Sequence, residues 1–456
     1  MSPSAHAARL ARSSDASKDA TTLNESLWTQ MDTEIRSQWA NDTSKAAESE
    51  IRNDSSHQLL FLPFPYVSPT APGSIYRFMF AWDTDFISRA LIAHEVFDQV
   101  RNHISNYLSM IDRYGFMPNA NAAGMTTRSQ TPLIADTVWR YYLKTRNRDV
   151  LYQAYPGLKI NYTGYWNAPH HQTPTGLATN RDMGDPNLPP NLAAEAEVGF
   201  DWTPIYAGDV RRCVPLVTNC ALVRYARTLA EIAHELGQES DAASFTQEAS
   251  RRIALIRQYC WSDKHGSFLE YDFVSGRQLP CFSDSALWTL WAGVADRAQA
   301  KDVVGNLYRI EHTFGLSSTD IAYPLPCPEK DYGSVLRLSP DGNVVDPDKG
   351  ASSIGGDNPL QWMYPAGWAP SHLIAVEGLD AYGYTAEGMR IASKFLGVML
   401  NQYERTGHLW EKYNVVDGSL ILPNARCGNI WMRGWTAAAA ALLGRRVFKK
   451  ESLYPA

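Results

Sequence analysis

The sequence predicts an all-α fold of roughly a dozen helices in which long loops carry the functional side chains. Along most of the chain, apolar residues recur every three or four positions, as on one face of an amphipathic helix. Four connections are too rich in Pro, Gly, Asn and Asp to continue a helix, and long loops in a helical protein usually carry function. We therefore expect the helices to build a scaffold and the loops to build a site.

Three segments show the helical period most clearly: residues 86–100, 222–236 and 389–399. Thr385 is the predicted N-cap of the third segment, and Gly237 is the predicted C-cap of the second. Weaker patterns predict the remaining helices at residues 24–40, 102–112, 132–146, 148–160, 240–260, 283–296, 299–311, 366–380 and 431–446.

The four predicted loops span residues 60–84, 113–131, 161–204 and 312–364. Within the last loop, a Pro-Asp-Gly turn between residues 334–338 and 343–345 predicts a small β-hairpin.

The length of 456 residues would allow about three domains, although large barrels often form one unit. Residues 1–22 are small and polar, and we expect them to be disordered. A single domain of residues 23–456 is predicted to follow them.

The composition excludes several classes of protein. Because 42 Lys and Arg stand against 48 Asp and Glu, the net charge is −6, whereas an electrostatic nucleic-acid binder needs a basic face. No run approaches the roughly 18 apolar residues of a membrane span. The N-terminus lacks the apolar stretch of a signal peptide, which predicts a cytoplasmic protein.

Cysteine and histidine show no metal-binding pattern, so no metal site is predicted. We expect His170 and His171 to be exposed, because they lie in a polar loop. The cysteines form no C-x-x-C pair, and we expect mostly buried, reduced thiols at Cys213, Cys220, Cys260, Cys281, Cys327 and Cys427.

Two carboxylates lie among aromatic residues, where desolvation can raise a pKa enough to make a general acid. Asp201 lies between Phe200 and Trp202, and Glu411 lies in a Leu-Trp-Glu-Lys-Tyr segment. Each also has a structural interpretation: Asp201 as a helix N-cap before Pro204, and Glu411 as a surface residue paired with a nearby Lys or Arg. Glycoside hydrolysis needs two carboxyls, one that protonates the leaving oxygen and one that activates water or attacks the anomeric carbon.

Other loop residues suit sugar binding. The chain is rich in Trp and Tyr, whose rings contact C–H bonds while their polar edges form hydrogen bonds, although large cores also use them. Trp82 can stack on a pyranose while Asp83 binds its hydroxyls. Asn119, Arg128 and Gln130 offer amide and guanidinium groups to vicinal hydroxyls.

Six motifs, in the same order, resemble those of the trehalase family of glycoside hydrolases. Q-W-M-Y-P-A-G-W-A-P at 361–370 resembles the second family signature, and P-G-S-I-Y-R-F-M-F-A-W-D at 72–83 resembles the first. E-V-G-F-D-W-T at 197–203 is similar to the segment that holds the general acid. The other three are P-N-A-N with R-S-Q-T-P within 118–132 for sugar binding, W-E-K-Y-N-V at 410–415 for the general base, and the closing G-W-T at 434–436.

The resemblance implies an (α/α)6 toroid, which agrees with the number of helices drawn from periodicity, with long loops forming the active-site face. It also implies an inverting α-glycosidase without metal or cofactor, in which Asp201 is the general acid and Glu411 the general base. Implied or candidate contacts of the substrate are Tyr76, Trp82, Asp83, Asn119, Arg128, Gln130, Arg181, Gln361, Trp362 and Trp368.

Three positions depart from the family signatures. Ile75 stands where the first signature carries a sugar-binding Arg, Phe78 replaces its Glu, and Met363 replaces the Asp of the second. The Gly-rich lid of trehalases is absent, and residues 417–433 take its place. A site that loses polar contacts to one sugar discriminates poorly for it, so these departures bear on the identity of the substrate.

We predict an inverting, exo-acting α-glycosidase for a small α-glucoside or α-mannoside such as trehalose. One alternative is a hydrolase of mannosylglycerate or glucosylglycerate, as in a related branch without the lid, with Arg211, Arg212 and Arg426 as candidate counter-charges for the glycerate. The other is a catalytically inactive sugar-binding protein on the same scaffold. The predicted partner is a small-molecule α-glycoside, not a nucleic acid or a membrane.

Overall fold

The computed structural model describes residues 23–70, 74, 76–323, 337–338, 344–345, 360–422 and 429–455. The N-terminal segment predicted to be disordered lies outside these residues. The α-helices of the described residues are α1 (Glu25–Gln38), α2 (Glu48–Asn53), α3 (Ala81–Ala93), α4 (Phe97–Tyr114), α5 (Ile134–Thr145), α6 (Asp149–Ile160), α7 (Pro190–Val198), α8 (Leu216–Glu235), α9 (Glu239–Cys260), α10 (Trp288–Trp291), α11 (Arg297–Gly305), α12 (Ala369–Ala381), α13 (Thr385–Thr406) and α14 (Gly434–Gly444).

Six helices form a closed inner ring, in which α3, α5, α8, α10, α12 and α14 pack in succession and α14 returns to α3. Every residue of α14 is buried, because a helix that is apolar on nearly all sides must be covered on all sides. Residues 81–92 of α3 are buried too, and their charged side chains pair inside the protein, as Arg89 does with Asp85 (2.7 Å). The helices that alternate with them in the chain, α1, α4, α6, α9, α11 and α13, bury one face and expose the other. This arrangement is the predicted (α/α)6 toroid.

The predicted bounds are confirmed within a few residues for the amphipathic helices α1, α5, α6 and α9. The continuous helix predicted at 86–100 is wrong. Glu95 adopts a left-handed conformation (φ 61°), so α3 ends at Ala93 and the apolar pattern continues on α4. Thr385 is the first residue of α13 and not its N-cap, whereas Gly237 (φ 75°) follows directly after the C-cap of α8.

Two other predicted segments differ from the structure. The helix predicted at 283–296 stops at Trp291, because the chain turns through Gly293 at φ 64°. The loop predicted at 161–204 contains α7 and begins with a π-helical turn, Asn161–Trp166.

The strands are short and lie between the helices. The hairpin predicted in the last loop is confirmed by an antiparallel pairing of Arg337 with Val345. The strands are β1 (Thr43–Ser44), β2 (Tyr66–Val67), β3 (Cys213–Val214), β4 (Trp261–Ser262), β5 (Ser267–Phe268), β6 (Tyr271–Asp272), β7 (Arg277–Gln278), β8 (Glu311–His312), β9 (Gly315–Leu316), β10 (Arg337–Leu338), β11 (Val344–Val345), β12 (Ala366–Trp368) and β13 (Lys412–Asn414).

One strand pair joins two distant motifs of the sequence. β12 and β13 run antiparallel, with Trp368 opposite Lys412. A Cβ on Gly367 would collide with Cγ1 of Val415, so only glycine allows this close approach. The pair therefore holds the segment that precedes α12 beside Glu411.

The cysteines that the structure describes, Cys213, Cys220, Cys260 and Cys281, are buried free thiols, as predicted. Cys327 and Cys427 lie outside the described residues. None of the described helices combines the length and apolar character that a bilayer crossing requires.

Glu270, between β5 and β6, makes the stability of the fold depend on pH. Its carboxyl group is buried, and it accepts hydrogen bonds from the Leu216 N–H (2.8 Å) and the Ser285 hydroxyl (2.9 Å). Burial raises its pKa from 4.5 to about 8. Between these values the native protein holds a proton that the unfolded chain has lost, so the free energy of unfolding falls as pH rises.

We expect Glu270→Gln to flatten this dependence. The amide oxygen can accept the Leu216 N–H while the amide nitrogen donates to Ser285, so the variant folds without an ionisable group there. Thermal unfolding measured from pH 5 to 8 should show a smaller fall in Tm for the variant than for the wild type. Glu404→Gln, at an exposed position on α13, is the control and should keep the wild-type slope. Equal slopes in all three proteins would contradict the assignment.

Candidate active site

A cavity of about 260 Å³ lies where the first turns of α3 and α14 meet the loops. Its walls come from segments far apart in the sequence, including the end of α7 and the segment before β12. Eleven of the twelve predicted site residues line it: Tyr76, Trp82, Asp83, Asn119, Arg128, Gln130, Asp201, Gln361, Trp362, Trp368 and Glu411.

Arg181 is the predicted residue that the structure does not place in the cavity lining. Its backbone N–H donates to Oε2 of Glu197 (2.9 Å). Its side chain is half-buried, and partial burial together with the charge of Arg211 lowers its pKa. Arg211 itself is paired with Asp209 (2.7 Å).

Backbone geometry at the end of α7 places Asp201. Gly199 has φ 89°, and a Cβ there would lie 2.9 Å from Oγ1 of Thr131 and 3.0 Å from the Trp82 ring. Trp202 also has a positive φ of 56°, which is rare for a bulky residue and is typical of functional sites. The interpretation of Asp201 as a helix N-cap is wrong, because it lies in the loop after α7 and no helix starts at it.

The carboxylate of Asp201 accepts hydrogen bonds from two neutral donors of the 361–370 motif. Nε2 of Gln361 donates to Oδ2 (3.1 Å), and Nε1 of Trp362 donates to Oδ1 (3.2 Å). Phe200 stacks on Trp362, with ring centroids 4.4 Å apart and planes 12° from parallel. The motif that resembles the second family signature thus directly contacts the residue of the acid motif.

Glu411 lies immediately before β13 and is buried, with 6% of its surface exposed. Its N–H donates to the carbonyl of Ile430 (2.9 Å), and its Oε2 lies 2.6 Å from Nζ of Lys412. The alternative of a paired surface glutamate is therefore half right: the partner is present, but both side chains are buried. Nζ of Lys412 also lies 3.4 Å from Oε1 of Gln361 and 4.8 Å from the ring centre of Trp368.

Asp83 lies close to both other carboxylates. It belongs to the first turn of α3 and is 4% exposed. Burial raises its pKa well above the ordinary value, and the nearby charges of Glu411 and Asp201 raise it further. Three acidic groups thus share one enclosed space.

The remaining polar residues of the site are held by the backbone or by buried charges. Nδ2 of Asn119 donates to the carbonyls of residues 129 and 196 (both 3.1 Å), and Oε1 of Gln130 accepts the N–H of Trp82 (3.1 Å). Nη1 of Arg128 contacts two buried carboxylates, those of Asp182 (3.0 Å) and Asp185 (2.7 Å).

A cluster of contacting aromatic rings forms part of the cavity lining. Trp362 stacks between Phe200 and Trp368, the latter at 4.0 Å and 8°. Trp82 meets Trp435 edge to face at 5.6 Å. Trp435 was not predicted as a site residue, although it is the tryptophan of the closing G-W-T motif. Among the other lining residues, Phe80, Gly199 and Trp202 belong to the quoted motifs but were not predicted as site residues. Those outside the quoted motif residues are Met125, Leu188, Ala196 and Met432.

Behind the cavity, the buried carboxylate of Glu197 accepts hydrogen bonds from five donors. They are the N–H of Ser129, the hydroxyl of Tyr165, Nε2 of His171, Nδ2 of Asn180 and the N–H of Arg181. Burial alone would raise the pKa of Glu197, but the charge of His171 and these donors hold it below its ordinary value.

His171 is buried, and the prediction that it is exposed is wrong, whereas His170 is exposed. Its Nδ1 faces the carbonyl of Tyr165 (3.0 Å) and its Nε2 faces Glu197 (3.0 Å). Each ring nitrogen of His171 therefore faces an acceptor oxygen. The polar loop thus buries a contact between a histidine and a carboxylate that its composition did not indicate.

The departures from the family signatures have different structural consequences. Met363 is fully buried and its sulfur accepts the N–H of Tyr323 (3.2 Å), so this position belongs to the core and not to the cavity lining. Phe78 packs against Phe80. Ile75 lies outside the described residues.

A toroid of paired helices with carboxylates in an aromatic cavity is the architecture of the (α/α)6 glycoside hydrolases. Residues 76–434 match the family model described as the mannosylglycerate hydrolase MGH1-like glycoside hydrolase domain. The chain belongs to this family of glycoside hydrolase domains.

Individual relatives agree with this assignment. The cytosolic neutral trehalase of Saccharomyces cerevisiae is 24% identical over 435 residues, which cover 82% of this chain and 54% of that protein. The chain spans about half the length of the first curated relatives that it matches. Among solved structures, the neutral trehalase Nth1 of the same yeast has a TM-score of 0.67 at 22% identity, covering 84% of this chain and 73% of its own. The GH63 mannosylglycerate hydrolase of Thermus thermophilus, solved with glucose, has a TM-score of 0.61 at 16% identity, covering 91% and 99%.

Replacement of Glu197 by Gln tests the importance of its hydrogen bonds for the site. A neutral amide offers one acceptor oxygen in place of two and turns an N–H group toward donors. The segment that carries Arg128 and Gln130 is then no longer held by the hydrogen bond from Ser129 to Glu197. We expect kcat/KM to fall by about 100-fold, because small displacements in a site are costly to catalysis.

The matched control is Glu248→Gln, which removes the charge of another structural carboxylate, one bound by Arg251 and Arg252 and outside the cavity lining. Both variants should lose stability in thermal unfolding, but only Glu197→Gln should lose activity. An equal loss of kcat/KM in both would show that the effect is general destabilisation.

Proposed function

We propose that this protein is an inverting, exo-acting α-glycosidase that hydrolyses a small α-glucoside or α-mannoside, such as trehalose. The observation that carries the proposal is that Asp201 and Glu411 line one cavity in unlike electrostatic environments. Paired carboxyls whose surroundings differ are the usual basis for dividing acid and base roles.

Glu411 is assigned as the general base because Lys412, 2.6 Å away, favours a negative charge on it. Asp201 is assigned as the general acid. The donors that contact it in the 361–370 motif are neutral, and a further negative charge beside Glu411 and Asp83 would be costly. The proposed reaction starts with Asp201 protonated and Glu411 ionised.

The proposed reaction is a single displacement. Asp201 donates its proton to the glycosidic oxygen as the C–O bond breaks, while Glu411 removes a proton from the water that attacks the opposite face of the sugar. The α-linked substrate therefore releases a β-sugar. Each carboxyl returns to its starting protonation state through exchange with solvent.

The sugar at the scissile bond is placed against Trp82 and Trp362, with Asp83, Asn119 and Arg128 at its hydroxyls. Further contacts proposed for the substrate are Tyr76, Gln130, Gln361 and Trp368. The cavity volume of about 260 Å³ is below the range of about 300–1,000 Å³ that is usual for drug-sized ligands. A cavity of this size accommodates one terminal sugar, which favours an exo-acting enzyme.

The names of relatives support the proposed sugar substrate and the proposed cellular location of this protein, but both remain proposals. They include cytosolic and periplasmic trehalases, and a mannosylglycerate hydrolase among the solved structures. We propose a cytoplasmic location for this protein.

Amide substitution of each carboxyl tests the roles. We expect Asp201→Asn and Glu411→Gln to lower kcat by about 100- to 10,000-fold on an alkyl α-glycoside, the usual contribution of general acid–base catalysis. With a p-nitrophenyl α-glycoside, whose leaving group needs no protonation, Asp201→Asn should recover much of its rate and Glu411→Gln should not.

The matched control is Asp209→Asn, at a half-buried aspartate paired with Arg211 and outside the cavity lining. It should retain the wild-type kcat. Normal turnover by Asp201→Asn on the alkyl glycoside would refute its role as acid, and equal rescue of both variants would refute the division of roles.

A further inference from the structure

We propose that Lys412 is a positioning residue for both carboxyls of the site: its ammonium group pairs with Glu411 and, by binding Oε1 of Gln361, turns the amide nitrogen of Gln361 toward Asp201. This inference rests on the proposed function, in which Glu411 is the base and Asp201 the acid, and identifies the group that prepares both. Lys412 itself is not part of the cavity lining among the described residues, so it acts through these neighbours and not on the substrate.

The ammonium group of Lys412 is held between the two side chains. Lys412 is fully buried, and it lies opposite Trp368 in the pair of β12 and β13, with Nζ 4.8 Å from the centre of the Trp368 ring. Nζ also lies 2.6 Å from Oε2 of Glu411 and 3.4 Å from Oε1 of Gln361. A buried ammonium without partners is costly, whereas one beside a carboxylate and over an aromatic ring is favourable. These contacts therefore fix the position of Nζ.

The amide of Gln361 could meet Asp201 with either end, and its neighbours select the nitrogen. The backbone is fixed first, because the N–H of Gln361 donates to the carbonyl of Trp202 (2.7 Å) and its carbonyl accepts Nε1 of Trp368 (3.3 Å). An ammonium group can only donate, so the end of the amide that faces Lys412 is the oxygen. The nitrogen then faces Oδ2 (3.1 Å) and the backbone carbonyl (3.5 Å) of Asp201, which are both acceptors.

This orientation matters for the acid, because a glutamine amide can either donate to a carboxyl group or accept its proton. With the nitrogen turned toward Asp201, Gln361 donates, and Nε1 of Trp362 (3.2 Å) can only donate. Neither neighbour can then accept the acidic proton of Asp201, which stays available for the glycosidic oxygen. A flipped amide would offer its oxygen to that proton and hold it away from the substrate.

For the base, Lys412 supplies the opposite charge. The other ionisable side chains of the described lining are Tyr76, Asp83, Arg128 and Asp201. Nη1 of Arg128 is already bound by two carboxylates, and the charges of Glu411 and Asp201 raise the pKa of Asp83. A buried carboxyl group among other acids favours its protonated form unless a cation lies close to it. Lys412 is that cation for Glu411.

The arginines named as candidate counter-charges in the sequence do not take this position. Arg211 pairs with Asp209 (2.7 Å) and Arg212 pairs with Asp272 (3.2 Å), and neither lines the described cavity. Arg426 lies outside the described residues. Neither described arginine therefore replaces Lys412 beside Glu411.

A double-mutant cycle on two substrates tests the link from Lys412 to the acid. We measure kcat/KM for the wild type, Lys412→Met, Gln361→Met and the double variant, on an alkyl and a p-nitrophenyl α-glycoside of the same sugar. Methionine keeps an unbranched apolar stem at both positions. Only the alkyl glycoside needs the proton of Asp201. On it, we expect the product of the two single losses to exceed the loss of the double variant by about tenfold. On the p-nitrophenyl glycoside this excess should be several-fold smaller, whereas a merely structural coupling would be equal on both.

The pH profile tests the link from Lys412 to the base. In Lys412→Met, the negative charge of Glu411 loses its counter-ion while Asp83 and Asp201 remain nearby. The rise of kcat/KM on the acidic side of the profile should therefore move to higher pH by about one unit or more, on both substrates. Lys394→Met is the matched control, because it removes a cation paired with Glu311 (2.7 Å) outside the described cavity lining. It should keep the wild-type profile, even where thermal unfolding shows a loss of stability.

Three results would overturn the inference and leave the proposed glycosidase intact: wild-type kcat/KM in Lys412→Met, an unchanged pH profile in that variant, or equal coupling on the two substrates. If Lys412→Met does not fold, Gln361→Met alone decides, since its loss of kcat/KM should be at least about tenfold larger on the alkyl glycoside; equal losses would overturn the inference. If the folded wild type hydrolysed neither glycoside in the gluco or manno configuration, the proposed function itself would fail, and the inference with it.

Discussion

The carboxylate of Glu197 is the constraint on which the site depends most. It takes one hydrogen bond from the segment that carries Arg128 and Gln130, and three from the loop of residues 171–181. Four residues later the same chain reaches Asp201, after the left-handed turn at Gly199. A buried carboxylate without such partners would be strongly destabilising, so folding requires all these segments to meet. The segment with Arg128 and Gln130 and the segment with Asp201 are thus positioned by one group.

The part of the cavity around Glu411 depends on backbone pairing. β12 and β13 bring the motif at 361–370 against Glu411, and only glycine at position 367 permits their approach. Lys412, opposite Trp368 in this pair, lies between Glu411 and Gln361 and so connects Glu411 to a residue that binds Asp201. The inner helices supply the rigid ring, and the short strands between them determine which carboxyls face each other.

Periodicity predicted α1, α5, α6 and α9 within a few residues, because their apolar residues recur at helical spacing. It failed to predict where α3 and α10 end, because left-handed residues at Glu95 (φ 61°) and Gly293 (φ 64°) turn the chain there and the apolar pattern does not show them. The cavity residues were found from motifs and their order. The partners of Glu197 lie 16 to 68 residues away in the chain, so no local pattern could indicate that it organises the site or that His171 is buried. Lining residues outside the motifs, such as Met125, were also missed, because they come together only after folding.

The most direct test of the account is the configuration of the first sugar released. Proton NMR of a reaction with any α-glycoside that the protein cleaves, recorded before mutarotation, reports the anomeric proton of the nascent product. Single displacement by water activated at Glu411 predicts the β-anomer. Accumulation of the α-anomer first would contradict the division of roles between Glu411 and Asp201, because retention requires a carboxylate that attacks the sugar and not one that activates water.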